Sequence, residues 1–143
     1  MKRSVPIFLC LILLIACSPP SADKILHASA VSLEAVSIGA NSGVKFVIAV
    51  MPDNTPERRQ ILGIFAKIAE ADNHGVSIVK SLDGVKDARQ VLTAVRPILA
   101  EIKGAIDSGL LGITDPATKA KAQTYLEAVS AAVSAFQVIL EVQ

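Results

Sequence analysis

The sequence predicts an all-α protein, an antiparallel up-down-up-down four-helix bundle that follows a cleaved N-terminal signal sequence. Apolar residues recur at alternating spacings of three and four over four long stretches, which is typical of helices packed at shallow angles. About three to six residues join the stretches, which favours antiparallel neighbours. The one strand candidate, Val44 to Val50, lacks alternation and a pairing partner.

The first helix is predicted from about Ala22 to Val50. Thr55 and Pro56 are typical of a helix start, because Thr is a good N-cap and Pro suits the first helical position, and this second helix ends near Leu82. The residues predicted to point inward are Leu26, Ala30, Leu33, Val36, Ala40, Val44, Val47 and Met51 in the first helix, and Ile61, Phe65, Ile68, Val79 and Leu82 in the second.

The third helix is predicted from about Lys86 to Leu110, with Pro97 producing a kink. Asp115 and Pro116 repeat the cap-and-proline signal and start the fourth helix. The predicted inward residues are Ala88, Leu92, Val95, Leu99, Ile102 and Ile106 in the third helix, and Ala122, Leu126, Val129, Val133, Phe136 and Leu140 in the fourth.

Composition excludes an electrostatic nucleic-acid binder. The 143 residues fit one domain and carry 14 Lys and Arg against 13 Asp and Glu, so the net charge is close to zero. Aromatic residues make up 3% of the chain, which is too few for a base- or sugar-stacking platform. The sequence therefore predicts no nucleic-acid partner.

The N-terminus has the build of a secretory signal sequence. Lys2 and Arg3 precede an apolar run over residues 6–16, and the run ends in Leu14-Ile15-Ala16-Cys17. This ending resembles the lipobox of bacterial lipoproteins. The match covers about the first 18 residues, and the remainder resembles no family that we can name.

The resemblance implies cleavage between Ala16 and Cys17 and a lipid anchor on Cys17, made of a thioether-linked diacylglycerol and an N-acyl chain such as palmitate. It also implies the outer membrane, facing the periplasm, in a host with two membranes, since Ser18 replaces the Asp that favours inner-membrane retention. We therefore expect a signal peptide over 1–16, a lipidated cysteine and tether over 17–23, and a bundle over 24–143.

Other interpretations of the N-terminal segment remain open. A membrane-spanning helix needs about 20 apolar residues, roughly twice the length of this core. An ordinary signal peptide would be cleaved elsewhere, for example near Ala22. A buried N-terminal helix would be interrupted by Pro6 and by the prolines at 19 and 20.

Two apolar features suggest close packing or association. Gly39 and Gly43 form a Gly-x-x-x-Gly motif, which fits a close helix crossing within the bundle, a helix break or a subunit contact. The fourth helix carries a second stripe of apolar and small residues, which fits either a central core helix or an exposed docking face. The stripe consists of Tyr125, Ala128, Ala132, Ala135 and Ile139.

No residue set predicts catalysis, a metal site or a cofactor. Glu70 and His74 share a helix face and could hold a metal or exchange a proton, but Glu70, Asp72, Asn73 and His74 are better interpreted as a solvated polar turn. A di-metal bundle centre needs Glu-x-x-His twice, and neither histidine lies in such a motif. No phosphate-binding or nucleophile motif is present.

The expected function is therefore non-catalytic: a membrane-anchored lipoprotein of the cell envelope that presents its helical bundle as a protein-interaction or structural module. The partner would be an envelope protein or a second copy of the chain. The alternative is a carrier that holds a small apolar ligand or lipid between its helices, because bundles can open such cavities.

Overall fold

The computed structural model describes residues 21–141, which form a bundle of four helices. This confirms the all-α four-helix bundle, and the predicted helix ends lie within two residues of the observed ones. The signal peptide predicted over 1–16 and the lipidation site Cys17 lie outside the described residues. The helices are α1 (Ala22–Val50), α2 (Pro56–Ser81), α3 (Ala88–Leu111) and α4 (Pro116–Glu141).

Short polar side chains cap the N-terminus of each helix. Ser21 accepts a hydrogen bond from Lys24 N, and Thr55 accepts one from Arg58 N, as its Thr-Pro signal predicts. Asp87 caps α3 in the same way. Asp115 Oδ2 accepts from both the hydroxyl and the backbone N–H of Thr118, each at 2.7 Å. Because these bonds favour the ionised carboxylate, they hold the pKa of Asp115 below its ordinary value.

Two long-range ion pairs show the up-down-up-down order of the helices. Lys86, just before α3, lies 3.3 Å from Asp23 at the start of α1. At the other end, Lys121 near the start of α4 lies 3.1 Å from Glu57 at the start of α2. The first and third helices therefore run in one direction and the second and fourth in the other.

The core is aliphatic and runs along the whole bundle. All six inward positions predicted for α4 are buried. Helix α1 contacts all three other helices, whereas the contact between α3 and α4 is small. The largest fully buried side chains are Phe65, Phe136, Ile25, Leu33, Ile61, Ile68, Ile98, Ile102 and Leu126.

The predicted inward register was partly wrong for α1 and α3. In α1, positions 26, 30 and 44 are not buried, and the residues just before them, Ile25, Ser29 and Gly43, are buried instead. The reason is that several buried positions of α1 are serine or glycine, which a search for large apolar side chains passes over. In α3, which packs mainly on α2, positions 88, 92 and 99 are only partly buried. The buried line of α3 is Val91, Val95, Ile98, Ile102 and Ile106.

Candidate functional site

The Gly-x-x-x-Gly motif of α1 lies at a close crossing with α4. A Cβ atom on Gly39 would lie 3.2 Å from the backbone nitrogen of Val129. One on Gly43 would overlap the Phe65 ring and lie 3.1 Å from the carbonyl oxygen of Tyr125. Because α1 continues through both glycines, the interpretation as a helix break was wrong, and the motif serves packing within the bundle.

A long uncharged surface flanks this crossing on the outside. Val31, Ala35, Ile38 and Ser42 are exposed and recur at spacings of four, three and four, so they share one face of α1. Phe46 extends the row, and its ring centroid lies 5.3 Å from that of Tyr125 in an edge-to-face arrangement. The aromatic pair therefore joins the exposed row of α1 to the second stripe of α4.

The second stripe of α4 lies along α1 and is not part of a central helix. Tyr125 and Ala132 are half-buried against the core, whereas Ala128 and Ala135 are exposed. The interpretation of α4 as the central helix was wrong, because α1 is the helix that contacts the other three. We call the combined surface the α1–α4 face: Val31, Ala35, Ile38, Ser42 and Phe46 of α1 with Tyr125, Ala128, Ala132, Ala135 and Ile139 of α4.

Charged residues are scarce along both helices of this face. Between Ala28 and Val50, α1 carries only Glu34 and Lys45, and α4 carries no charged residue from 128 to 140. The side chain of Ile38 is 60% exposed and that of Phe46 is 53% exposed. Large exposed side chains in an uncharged strip are typical of a surface that contacts a partner or a membrane.

Helix α1 is also long and apolar enough to cross a membrane by length and composition alone. A core helix passes the same test, and α1 is one here, because its inner side carries Leu33, Val36 and Val47 in the bundle core. The apolar character of α1 is compatible with an anchor or signal, and in this fold it is divided between the core and the exposed row.

The opposite side of α1 meets a buried carboxylate on α2. Asp72 is only 5% exposed, and its Oδ1 atom is buried without a hydrogen-bond partner. The interpretation of residues 70–74 as a solvated polar turn was wrong in two respects. Asp72 is buried, and α2 continues through these residues without a turn. The sequence contained a signal for its burial, since Asp72 continues the four-and-three spacing of Ile61, Phe65 and Ile68.

Burial changes the acidity of this carboxyl group. Removal from water disfavours the ionised form, and this desolvation raises the pKa of Asp72 from 3.8 to about 6. The next turn explains why the carboxyl group is enclosed. A Cβ on Gly75 would lie 2.5 Å from Ile98 and 3.0 Å from Leu33, so α1 and α3 both approach α2 closely at that point.

A surface cleft between α1 and α2 leads to Asp72. Its volume is about 310 Å³, which is at the lower end of the range for small-ligand sites. We call it the α1–α2 cleft; its lining includes Leu33, Glu34 and Ser37 of α1 and Asp72, Val76 and Lys80 of α2. The lining combines two carboxylates and one ammonium group with aliphatic walls.

The structure does not bring Glu70 and His74 together. His74 Nδ1 lies 2.8 Å from Glu101 Oε2 of α3, and all three side chains are exposed. This pair links α2 to α3 at the surface. Within residues 21–141, no group of three or more His, Cys, Asp or Glu side chains is arranged to hold a metal ion.

The predicted processing residues, Ala16 and Cys17, lie outside the described residues, so the fold places neither of them. Asp72 is the main polar residue that sequence reasoning misplaced. Comparison with known proteins adds no relative: no family model, curated protein or solved structure matches this chain.

Proposed function

We propose that this chain is a lipid-anchored, non-catalytic envelope protein that binds another protein through its α1–α4 face. The observation that carries the proposal is the uncharged, partly apolar strip that two adjacent helices expose. The anchor is inferred from Leu14-Ile15-Ala16-Cys17, and the location is the cell envelope, at the outer membrane facing the periplasm in a host with two membranes.

The chemistry of the face favours a protein partner over the bilayer surface. Helices that lie in a membrane interface usually combine Lys and Arg on the polar side with Trp, Phe or Leu on the apolar side. The chain has no Trp, and the α1–α4 face is rich in alanine, with Ala35, Ala128, Ala132 and Ala135. Small side chains allow a second helix to approach closely, so the expected partner is an uncharged helical surface, in another envelope protein or a second copy.

The anchor would keep this face beside the membrane. Helix α1 starts at Ala22, and the tether from Cys17 to that point reaches at most about 20 Å. The start of α1 therefore sits at the membrane-proximal end, and the α1–α4 face extends away from it. A partner with a domain just above the bilayer would meet this face.

The anchor is tested by metabolic labelling with palmitate and by globomycin, which blocks lipoprotein signal cleavage. The expected result is a labelled mature protein and a larger precursor in the presence of globomycin. Cys17→Ser should abolish both labelling and processing. An unlabelled protein, or unchanged labelling of Cys17→Ser, would contradict the anchor.

The binding face is tested by placing a photo-crosslinking residue at position 38 of the full chain in its native membranes. The matched control is position 111, because Leu111 is even more exposed, at 76%, but lies at the end of α3 away from the face. We expect one discrete protein adduct from position 38, lost in Ser42→Asp, and none from position 111. Equal adducts from both positions, or adducts with lipid alone, would rule out the proposed face.

The second candidate function is a carrier of a small apolar ligand or lipid. It is favoured by a cleft of about 430 Å³ between α3 and α4, which contact each other less than α1 contacts α4 or α2 contacts α3. Leu99 and Leu140 line it, and the charged residues of the lining are Arg96, Lys103 and Glu141, so cations outnumber acids there and an anionic amphiphile is favoured. Native mass spectrometry of the purified chain decides this question, since a carrier would retain a co-purified ligand and a docking module would not.

A further inference from the structure

We infer that the α1–α2 cleft is a binding site for a small primary amine with an aliphatic body, whose ammonium group pairs with Asp72. The cleft lies between α1 and α2 and shares no lining residue with the α1–α4 face, so this site is distinct from the proposed docking surface. Its occupant would be recognised by a buried anion at the base and aliphatic walls above it.

The carboxylate of Asp72 lacks a partner within the described part of the fold. Its Oδ1 atom is buried with no hydrogen-bond donor, although buried polar groups are nearly always paired. The neighbours one turn away on α2, Ile68 and Val76, are aliphatic. Lys80 also lines the cleft, but it makes no hydrogen bond to Asp72 Oδ1.

The charges of the cleft lining favour a cation. Asp72 and Glu34 are acidic and Lys80 is the one cation of the lining, so an anion would be repelled. With a pKa of about 6, Asp72 is mostly ionised at pH 7 and is able to pair with an ammonium group. Two carboxylates do not amount to a metal cage, and no cluster of three or more ligand side chains is present in residues 21–141.

The walls of the cleft suit an aliphatic chain. Leu33 and Val76 line the cleft from opposite helices, and Val79 extends the apolar surface by one turn. A volume of about 310 Å³ accommodates a chain of a few carbon atoms. An ammonium group donates to the carboxylate while the methylene groups bury apolar surface, so one ligand satisfies both features.

The test is a titration of the full chain, isotopically labelled and held in a non-ionic detergent at pH 7, followed by NMR. The probes are n-pentylamine, 1-pentanol and pentanoate, which share a chain length and differ in charge. We expect saturable shifts for the amine alone, centred on the backbone of Leu33 and Val76. Saturation by pentanol or pentanoate at a similar concentration, or no saturation by the amine, would overturn the inference.

Two variants locate the interaction. Asp72→Asn keeps the side-chain shape and removes the charge, and it should weaken amine binding at least about tenfold, as expected for loss of a charge-assisted hydrogen bond. Glu101→Gln removes an exposed acid outside the cleft and should leave binding unchanged. Equal binding by Asp72→Asn and the natural chain would refute the site, and the same spectra report that the variant is folded.

Discussion

Helix α1 packs differently against α4 and against α2. On the α4 side, Gly39 leaves room for the backbone of Val129, and Gly43 leaves room both for the carbonyl of Tyr125 and for the Phe65 ring of α2. On the α2 side, a full-sized acid, Asp72, occupies a core position, and a cleft remains beside it. One helix can therefore form a close helix crossing along one side and a wall of an open cleft along another.

This difference also separates stability from function. The α1–α4 crossing is filled, so changes in side-chain size should affect folding strongly there. The α1–α2 side holds an uncompensated carboxylate, which opposes folding whenever it is ionised. A polar group kept at such a position is a candidate functional residue, because strained or unsatisfied groups are concentrated at sites.

The largest expected effect is on the tight side. Gly43→Leu would drive a side chain into the Phe65 ring and toward the carbonyl of Tyr125, and we expect it to lower the free energy of unfolding by roughly 3 kcal/mol. Urea denaturation followed by circular dichroism measures this. The matched control is Gly63→Ala in α2, where a Cβ meets nothing within 4 Å. Because alanine favours helix, that variant should gain about 0.5–1 kcal/mol.

The second largest expected effect is a pH-dependent change in stability at Asp72, beside the α1–α2 cleft. The pKa of Asp72 is about 6 in the folded protein and near 3.8 when unfolded, so its contribution to stability is fully present below pH 4 and is lost as pH rises through 6. Asp72→Asn should therefore be more stable than the natural chain above pH 6, by roughly 1–2 kcal/mol because the amide is also buried, and the difference should shrink toward pH 4.

Denaturation of both proteins from pH 4 to pH 8 checks the sign of this effect. Glu70→Gln is the control, because Glu70 is an exposed acid on the same helix. Its stability should parallel that of the natural chain at every pH. A natural chain whose stability rises steadily from pH 4 to pH 7 relative to Asp72→Asn would show that Asp72 is paired.

The smallest expected effect is at the rim of the tight side. Phe46 contacts Tyr125 but stays 53% exposed, so Phe46→Ala should lower stability by only about 0.5–1 kcal/mol. Val31→Ala, on the same face without an aromatic partner, should have a smaller effect. Thermal unfolding of both variants compares them. A loss at Phe46 as large as that at Gly43 would show that the rim belongs to the core.

The helices were predictable because their signals are local. Two helix starts, at Thr55-Pro56 and Asp115-Pro116, depend on residues within one turn. The buried positions of α4 follow from apolar residues spaced one turn apart. The register of α1 was not predictable from the sequence, because Gly43 is buried by Phe65 of α2 and Tyr125 of α4, which are distant from it in the chain. Only part of the candidate site could be predicted from the sequence. The apolar spacing indicates that Asp72 is buried, but only the fold shows that its Oδ1 atom has no hydrogen-bond partner.

The sequence by itself determined the class of fold and the ends of the helices. It also contains the lipobox-like N-terminus from which the cell-envelope location is predicted. All three follow from local residue patterns. The tertiary structure decided which side of α1 is tight and which is open. That outcome depends on how closely α2 and α4 each approach α1. The glycines allow a close approach because they have no side chains, whereas Asp72 is enclosed where α1 and α3 both approach α2.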